Sequence, residues 1–397
     1  LYGCIANMNT FLIKIGKAWS VIQRDGIVSG GRRVIEAFVA LFAVVEPGDI
    51  LFISGGVGDS ARYRTTHVAE ELRIHGFMTS VTVQDNPRLV SYAETFQVFI
   101  FHRVLMTPSV ARLVARLKEL KKTIIFETDD LVYDPAFLVH MDYWHQMNAL
   151  ERKLYEHGVG GEILADPYVT VATTTTNFLA AKLRESGKVV YLVPNRLTEE
   201  DVQWATAVAP RRTDGSIRVG YLSGTPSHNK DFATITDALI ILFERYPEMR
   251  LVLAGPLDTE DRLQAYADRI LRLPFVPRRE LFSNIASLDI NLAPLEMGNP
   301  FCESKSELKF FEAGIVGVPT VAAATETFRE AIQDGTDGFV VTMTEEWAEK
   351  IGRLIADSDE RIRMGRAARE TALEKYTTIN AKNDAYYTYL RTAIQKS

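Results

Sequence analysis

The chain has 397 residues, of which 47% are hydrophobic and 24% charged, and its formal net charge is −6. This length accommodates two domains with separate cores, and the lack of a basic excess argues against a nucleic-acid partner. The longest apolar run, Ala37–Val45, is far shorter than the ~20 residues that a membrane-spanning helix needs. The two cysteines, Cys4 and Cys302, show no metal-ligand spacing and no disulfide framework, which favours a cytoplasmic location. No signal peptide is visible, and a start at Leu1 is compatible with a piece of a longer protein.

Residues 8–46 are predicted to form an N-terminal segment of two helical stretches, interrupted at Gly26 and at Gly30 and Gly31. Apolar residues and Trp19 recur at helical spacing beside scattered lysines and arginines. Such basic amphipathic helices lie on anionic membrane surfaces, but the same pattern is typical of a helix that packs on its own domain. The sequence leaves open whether this segment makes a peripheral contact with the inner face of the membrane.

The next part of the chain, residues 47–195, alternates strands with helices. This alternation predicts an α/β domain with a doubly wound parallel sheet, of the Rossmann-like kind. The predicted strands are Asp49–Gly56, Thr79–Gln84, Gln97–His102, the apolar part of KTIIFETDD, Tyr168–Thr173 and Val189–Pro194.

A second alternating series follows a polar stretch. Residues 196–216 contain Pro210 and the turn-rich run RRTDGS, which predicts a linker. The series itself begins at Ile217 and continues to residue 376, which predicts a second Rossmann-like domain. A last helix is predicted from about Ile379 to Gln395.

The most informative stretch is Phe301–Thr320, FCESKSELKFFEAGIVGVPT, which follows a predicted buried strand. If it forms one helix, Lys305, Lys309 and Glu312 lie on a single face at spacing i, i+4, i+7. Two ammonium groups near a helix N-terminus suit a diphosphate, and a carboxylate one turn further on suits the two hydroxyls of a ribose. The alternative is a solvated charged face. Gly317 is predicted to end the helix.

This stretch resembles the donor-binding segment of GT-B glycosyltransferases, especially family 4 and related bacterial surface-polysaccharide glycosyltransferases. The resemblance implies that Glu312 binds the ribose of a nucleotide sugar and that Lys305 and Lys309 bind its diphosphate. The chain departs from the family pattern at the first glutamate, because Ser304 occupies that position and Glu303 lies one place away.

The resemblance also implies the architecture. A GT-B protein has two Rossmann-like domains that face a cleft, and its C-terminal helix crosses back to the first domain. We therefore expect an N-terminal helical segment, an acceptor domain, a linker, a nucleotide-sugar domain and a returning helix. Their expected ranges are 1–46, 47–195, 196–216, 217–376 and 377–397.

Further donor contacts are expected at strand ends of the second domain. Gly224 lets a phosphate approach the backbone after the first strand, and Lys230 can neutralise that phosphate. By resemblance, Gly255, Phe275 and Val276 follow strands whose ends frame the nucleobase. For these three residues, packing in the core is the alternative.

Two candidates for acceptor chemistry follow strands of the first domain. Asp129, in the run FETDDLVYDP, could orient or deprotonate an acceptor hydroxyl, and His102 could equally serve as the base. The alternative for these aspartates is a helix cap, for which Asp130 and Asp134 are the obvious choices. For His102 it is a hydrogen-bonded histidine of the core.

Taken with the resemblance, these residues predict a cytoplasmic hexosyltransferase of GT-B type. It would move a sugar from a nucleoside-diphosphate donor to a hydroxyl of a glycan or lipid-linked acceptor in bacterial polysaccharide biosynthesis, without a cofactor or an essential metal. Asp129, His102, Lys230 and Lys309 are the predicted catalytic residues. Two alternatives remain: a nucleotide-sugar 2-epimerase, which turns over its substrate without an acceptor, and a catalytically degenerate GT-B scaffold.

Overall fold

The computed structural model describes residues 31, 35, 38–153, 155–208, 214–224 and 228–396. No helix in these ranges is long and apolar enough to cross a bilayer. Most of the predicted N-terminal helical segment lies outside the described residues, so its two helices and its membrane contact stay predictions.

The chain divides into two compact units. Unit 1 runs to Leu138 and includes Gln146–Asn195 and the residues from Lys382 onward. Unit 2 comprises Val139–His145 and Arg196–Ala381. The predicted linker differs from the structure in one respect, because Glu199–Thr206 forms a helix within unit 2. A capping box at Thr198 begins that helix, so this polar stretch is ordered by its own N-terminal hydrogen bonds.

Unit 1 contains a six-stranded sheet in the order β2-β1-β3-β4-β5-β6, and every neighbouring pair is parallel. The order reverses between β1 and β3, and ligands of open α/β sheets bind at such a switch point, beyond the carboxyl ends of the strands. The strands are β1 (Ile50–Ser54), β2 (Thr79–Val83), β3 (Val98–His102), β4 (Thr123–Glu127), β5 (Val171–Thr174) and β6 (Val189–Leu192).

Helices connect the strands of this sheet. Between β1 and β2 the chain forms α1, a π-helix and α2 in direct succession, and π-turns of this kind are frequent at functional sites. The α-helices are α1 (Asp59–Ala61), α2 (Val68–Ile74), α3 (Pro108–Glu119), α4 (Ala149–Lys153), α5 (Gly161–Ala165) and α6 (Asn177–Glu185). The π-helix is Arg62–His67, and the 3-10 helices that begin in this unit are Leu89–Glu94, Leu131–Tyr133 and Pro135–His140; a further 3-10 helix, Asp142–Gln146, begins in unit 2.

The last helix of the chain packs in unit 1, as predicted for a GT-B protein. Its buried residues Tyr386, Tyr387 and Leu390 share the core that contains the first strand. The Tyr387 hydroxyl donates to Glu71 Oε1 at 2.7 Å, and burial of the three apolar side chains adds several kcal/mol. The prediction that the C-terminal helix returns to the first domain is thereby confirmed, although the helix begins at Asp384 rather than Ile379.

Unit 2 contains a second six-stranded parallel sheet, in the order β12-β11-β10-β7-β8-β9. Its order reverses between β7 and β10. Two doubly wound parallel sheets confirm the predicted fold class. The strands are β7 (Ile217–Leu222), β8 (Met249–Ala254), β9 (Ile270–Leu273), β10 (Ile290–Ala293), β11 (Thr320–Ala323) and β12 (Gly338–Val341).

The helices of unit 2 follow the predicted order with two interruptions. The long helix expected after β7 is split at Thr234 and Ile235, where the backbone of Ile235 leaves the helical region. The helices are α7 (Glu199–Thr206), α8 (Asn229–Ala233), α9 (Thr236–Arg245), α10 (Arg278–Ala286), α11 (Pro300–Glu303), α12 (Leu308–Ile315), α13 (Glu326–Ala331), α14 (Thr344–Ala356) and α15 (Ser358–Lys375), with a 3-10 helix at Asp261–Arg269; the helix of unit 1 at Asp384–Gln395 is α16.

The second interruption corrects the expectation of one continuous helix after Phe301. Two short helices, α11 and α12, replace it, and Lys305 lies in the break between them. The Ser304 hydroxyl donates to the carbonyl of Phe301 at 2.7 Å, a local bond that competes with helix continuation. Gly317 ends α12 with φ +73°, as its position in the sequence predicted.

Candidate active site

Lys309 brings a positive charge to the carboxyl end of β7. It projects from α12, and its ammonium donates to the carbonyl of Leu222, the last residue of that strand. The ammonium also lies 4.7 Å from the centroid of the buried Tyr221 ring. Burial lowers the pKa of Lys309, while the charges of Glu312 and Asp231 oppose that shift. The switch point of the second sheet therefore holds a cation with little water around it.

Glu312 lies one turn further along α12 and is held by a buried arginine. NH1 of Arg278 lies 2.6 Å from Glu312 Oε1, and the same guanidinium reaches both carboxylate oxygens of Asp201 at 2.9 and 3.1 Å. The Arg278 side chain is 3% exposed and that of Glu312 is 15% exposed. The ion pairs fix the direction of the Glu312 side chain while leaving part of its carboxylate accessible.

The two other predicted lysines have different surroundings. Lys305, in the break between α11 and α12, places its ammonium 5.8 Å from the centroid of the Phe301 ring. Lys230 is 60% exposed at its side chain, and its ammonium lies 3.5 Å from Asp142 Oδ1. An exposed pair of this kind contributes little to stability, so Lys230 can exchange its partner at low cost.

A histidine that directly precedes α8 forms a buried pair near these cations. His228 Nδ1 lies 2.8 Å from Asp231 Oδ2, and Asp231 Oδ1 accepts from the backbone N–H of Glu296 and from the thiol of Cys302, each at 3.1 Å. Burial raises the pKa of the Cys302 thiol, and the neighbouring Asp231 raises it further. Cys302 is therefore a hydrogen-bond donor here and not a nucleophile.

Two predicted glycine contacts differ in what the backbone requires. At Gly255, φ is +85° and an added Cβ would lie 1.9 Å from the carbonyl oxygen of Ser223, so glycine is needed for the ends of β7 and β8 to approach. At Gly224, an added Cβ meets no atom of the described residues within 4 Å, so nothing among them requires glycine for packing. Phe275 and Val276 follow β9 and are both partly exposed, which leaves a face of each side chain accessible.

Unit 1 gathers the two predicted acceptor residues at its own switch point. Asp129 Oδ1 lies 3.3 Å from His102 Nε2 and 2.7 Å from Arg103 Nε, and Asp129 Oδ2 accepts from the Ser60 hydroxyl at 2.9 Å. Burial by itself raises the pKa of this carboxyl, but the charges of Arg103, His102 and Arg64 together hold the pKa of Asp129 well below its usual range. Asp129 is therefore a permanently charged partner of His102.

The backbone of Arg103, the residue that follows His102, is strained. Its φ is +49°, in the left-handed region, and its carbonyl oxygen would lie 1.8 Å from a Cβ added at Gly55. Gly55 also donates its N–H to the carbonyl of His102 at 2.9 Å. Strain of this kind persists where surrounding contacts over-determine the backbone, and it clusters at functional sites.

Below this cluster, Arg64 of the π-helix is completely buried. Its Nε lies 2.8 Å from Glu127 Oε1, and its NH1 donates to Val193 O at 2.7 Å and to Asn195 Oδ1 at 2.8 Å. Arg64 thereby ties the ends of β4 and β6 to the helix that follows β1. Local capping, the alternative role predicted for these aspartates, falls to the neighbours of Asp129. Asp130 accepts from Leu131 N–H at 2.6 Å, and Asp134 accepts from Ala136 N–H at 2.9 Å.

The site residues that the sequence did not reveal are Arg278, Asp201 and Ser60. Asp201 occupies the third position of a capping box, a pattern that signals only the start of a helix. Arg278 opens α10, where a basic residue is unremarkable. Ser60 lies in the short helix α1, and a sequence pattern does not connect it to residues far along the chain.

Comparison with known proteins finds a family match within the second unit. A family model described as glycosyl transferases group 1 matches residues 216–357. The chain is 26% identical over 166 residues to EpsD of Bacillus subtilis (strain 168), a protein provisionally named a glycosyltransferase. That match covers 41% of this chain and 43% of the length of the curated relative.

Solved structures share the fold over most of the chain. HepE of Anabaena, solved in complex with UDP and glucose, has a TM-score of 0.55 at 15% identity and covers 87% of this chain and 100% of its own. Sucrose-phosphate synthase from Thermosynechococcus elongatus has a TM-score of 0.55 at 12% identity and covers 88% and 98%. Residues 216–357 therefore match the glycosyl transferases group 1 family, and the chain has the fold of these GT-B structures, as the resemblance implied.

Proposed function

We propose that this protein transfers a hexose from a nucleoside-diphosphate sugar to a hydroxyl of a glycan or lipid-linked acceptor in bacterial polysaccharide biosynthesis. The observation that carries the proposal is the position of Lys309 at the carboxyl end of β7, with Glu312 less than one turn further along the same helix. A cation and a preoriented carboxylate at this spacing match the diphosphate and the ribose of one ligand.

Donor binding is assigned to unit 2. Lys309 and Lys305 bind the diphosphate, Glu312 accepts hydrogen bonds from the ribose hydroxyls, and Gly224 admits the phosphate close to the backbone. The partly exposed Phe275 and Val276, with the strand end at Gly255, contact the nucleobase. Solved complexes of HepE contain UDP and UDP-glucose, which supports a nucleotide sugar as the class of donor.

Acceptor activation is assigned to unit 1. Asp129 orients the acceptor hydroxyl, since its side chain is 15% exposed, whereas His102 is 2% exposed and holds the Asp129 carboxylate through the 3.3 Å contact of its Nε2 with Oδ1. Arg103, Ser60 and His102 each contact the Asp129 carboxylate, so its low proton affinity suits orientation of the hydroxyl by a charged hydrogen bond better than removal of its proton. His102→Gln is expected to slow transfer more than it weakens donor binding.

The leaving diphosphate is stabilised by ammonium groups in this proposal. Charge stabilisation at the leaving group is the largest single contribution in many transferases, and two lysines supply it without a cation from solution. Transfer is therefore expected to continue in excess EDTA. Loss of transfer on chelation, restored by a divalent cation, would require a metal in the mechanism.

A donor screen tests the proposal directly. UDP-, GDP-, ADP- and dTDP-glucose are each added to the protein, and the melting temperature and sugar release are measured. A ligand at 100 times its dissociation constant stabilises the folded state by ~2.7 kcal/mol, which gives a clear shift. Binding with transfer to an acceptor supports the proposal, turnover to an epimer without acceptor supports a 2-epimerase, and no binding by any nucleotide sugar supports a scaffold.

The proposal also includes a cytoplasmic location. A sequence with two cysteines and no disulfide framework suits a reducing compartment, and a lipid-linked acceptor would bring the enzyme to the inner face of the membrane. Sedimentation with anionic vesicles, compared with neutral vesicles, tests the membrane contact. Equal partition with both would remove it.

A further inference from the structure

His228 is the only histidine of the described part of unit 2 that a buried carboxylate orients through a side-chain bond. Its Nδ1 lies 2.8 Å from Asp231 Oδ2, and the Asp231 side chain is 5% exposed. The second oxygen of Asp231 accepts from the backbone N–H of Glu296 and from the thiol of Cys302, each at 3.1 Å. Three donors from different segments thus fix the carboxylate, and the carboxylate in turn fixes the imidazole.

The contact with Asp231 determines which nitrogen of His228 is available. An ionised carboxylate accepts only, so Nδ1 carries the hydrogen, and Nε2 on the opposite edge of the ring has the free lone pair in the neutral form. The His228 side chain is 20% exposed, so the pair is not sealed from solvent. When the ring gains a proton, that proton goes to Nε2, which then becomes a charged donor.

The surroundings of this ring disfavour its protonated form before a ligand binds. Burial lowers the pKa of His228 and the positive charges of Lys305 and Lys309 lower it further, against the opposing effect of Asp231. Cys302 and Tyr221 face the other side of Asp231, where both are buried and uncharged at neutral pH.

We propose that His228 is a further donor-binding residue: when a nucleotide sugar binds, Nε2 takes up a proton and donates a charge-assisted hydrogen bond to the diphosphate. The inference rests on the proposed function, because it needs the diphosphate beside Lys305 and Lys309. Two phosphate charges there cancel the field of the lysines and favour the imidazolium. Asp231 is the positioning residue that keeps Nε2 as the site of protonation.

The contrast with Lys230 supports this assignment. The sequence pattern indicates Lys230 as the basic group after β7, but the Lys230 side chain is 60% exposed and pairs with Asp142. His228 is the better oriented of the two, because a fixed ring loses less conformational entropy on binding than an exposed lysine chain.

Calorimetric titration with UDP-glucose at pH 7, in PIPES and in imidazole buffer, tests the proposal. These buffers differ in ionisation enthalpy, so the difference in observed heat gives the number of protons taken up on binding. A nucleotide sugar has no phosphate proton to exchange near neutral pH, so uptake reports on the protein. Net uptake in the wild type, together with an affinity that rises as the pH falls from 8 to 6, is expected.

Two variants keep the test independent of folding. His228→Asn retains an N–H for Asp231, and His228→Gln places a neutral amide near the position of Nε2. Both are expected to abolish the uptake, with an affinity loss of about ten- to hundredfold for Asn and less for Gln. His157→Gln, at an exposed histidine of unit 1, is the matched control and is expected to leave the uptake unchanged.

The outcomes separate this inference from the proposed function. UDP-glucose binding without proton uptake, or uptake that persists in both His228 variants, overturns the role of His228 and leaves the glycosyltransferase assignment intact. No binding of UDP-glucose or of the GDP, ADP and dTDP sugars overturns both. Loss of uptake in Asp231→Asn with retained fold supports the positioning role of Asp231.

Discussion

Arg278 holds Glu312 in a fixed direction before any ligand is present. NH1 of Arg278 lies 2.6 Å from Glu312 Oε1, and the rest of the guanidinium is bound to Asp201. An isolated glutamate would lose rotamer freedom when it binds a ribose, at a cost of about 0.5 to 1.5 kcal/mol. The ion pair removes much of that cost in advance, so the three residues act as one unit in donor binding.

Glu312→Ala is therefore expected to weaken nucleoside and nucleotide binding alike, by about ten- to hundredfold, because the ribose loses a charged acceptor. A loss of stability of about 1 to 3 kcal/mol should accompany it, since Arg278 loses one of its carboxylate partners. Calorimetric titration and denaturant unfolding measure the two effects. Glu349→Ala, at an exposed position of α14, is the control. Unchanged nucleotide affinity in a folded Glu312→Ala protein would remove Glu312 from the site.

Lys309→Met should separate diphosphate recognition from nucleoside recognition. The substitution removes the charge and keeps the chain length, so affinity for a nucleoside diphosphate is expected to fall about ten- to hundredfold while affinity for the nucleoside hardly changes. Lys305→Met should act in the same direction and less strongly, because Lys305 lies outside the helix that fixes Lys309. Equal losses for nucleoside and nucleoside diphosphate would contradict a phosphate contact for either lysine.

Asp129→Asn is expected to lower transfer by about 100-fold or more with little change in donor affinity. The charge that orients the acceptor hydroxyl is lost, while the size of the side chain is kept. Transfer rate, donor affinity and melting temperature are measured on the one variant. Near-normal transfer would mean that Asp129 has only a structural role. Its neighbours Asp130 and Asp134 have such a role, because each accepts a hydrogen bond from a nearby backbone N–H.

The same carboxylate predicts a pH dependence of stability. The pKa of Asp129 in the folded state lies well below its value of ~3.9 in an unfolded chain, so between the two values the unfolded state binds more protons. Its contribution is therefore complete above the unfolded value and is lost as the pH falls through the folded pKa. Urea unfolding from pH 6 to 2 should show a difference between wild type and Asp129→Asn that shrinks below about pH 4. A difference independent of pH would contradict the low pKa.

A pair of glycines distinguishes a fold requirement from a ligand requirement. Gly255→Ala forces a left-handed residue and places a Cβ 1.9 Å from Ser223 O, so unfolding free energy should fall by more than the ~1 to 2 kcal/mol of backbone strain alone. Gly224→Ala meets no atom in the part of the chain that the structure describes and should leave stability within about 0.5 kcal/mol of the wild type. If the phosphate approaches Gly224, its alanine variant loses donor affinity. Normal affinity there would exclude that approach.

The sequence by itself determined the period and order of the elements. Apolar runs that end in glycine or polar residues identified the strands, and their alternation with helices identified two doubly wound sheets, because both follow from local burial and backbone preference. The spacing of Lys309 and Glu312, and the glycine that ends their helix, were also local properties. These features were readable without coordinates because each depends on residues a few positions apart.

Only the tertiary structure decided which side chains meet. Arg278 and Glu312 are 34 residues apart, Asp231 and Cys302 are 71 apart, and Ser60 and Asp129 are 69 apart. Each pair exists because the order of strands brings their carboxyl ends to the same edge of a sheet. The spacing of apolar residues within one segment does not determine that order. The break that puts Lys305 outside α12 has a different, local origin, because the Ser304 hydroxyl donates to a carbonyl three residues earlier that a continuous helix would have used.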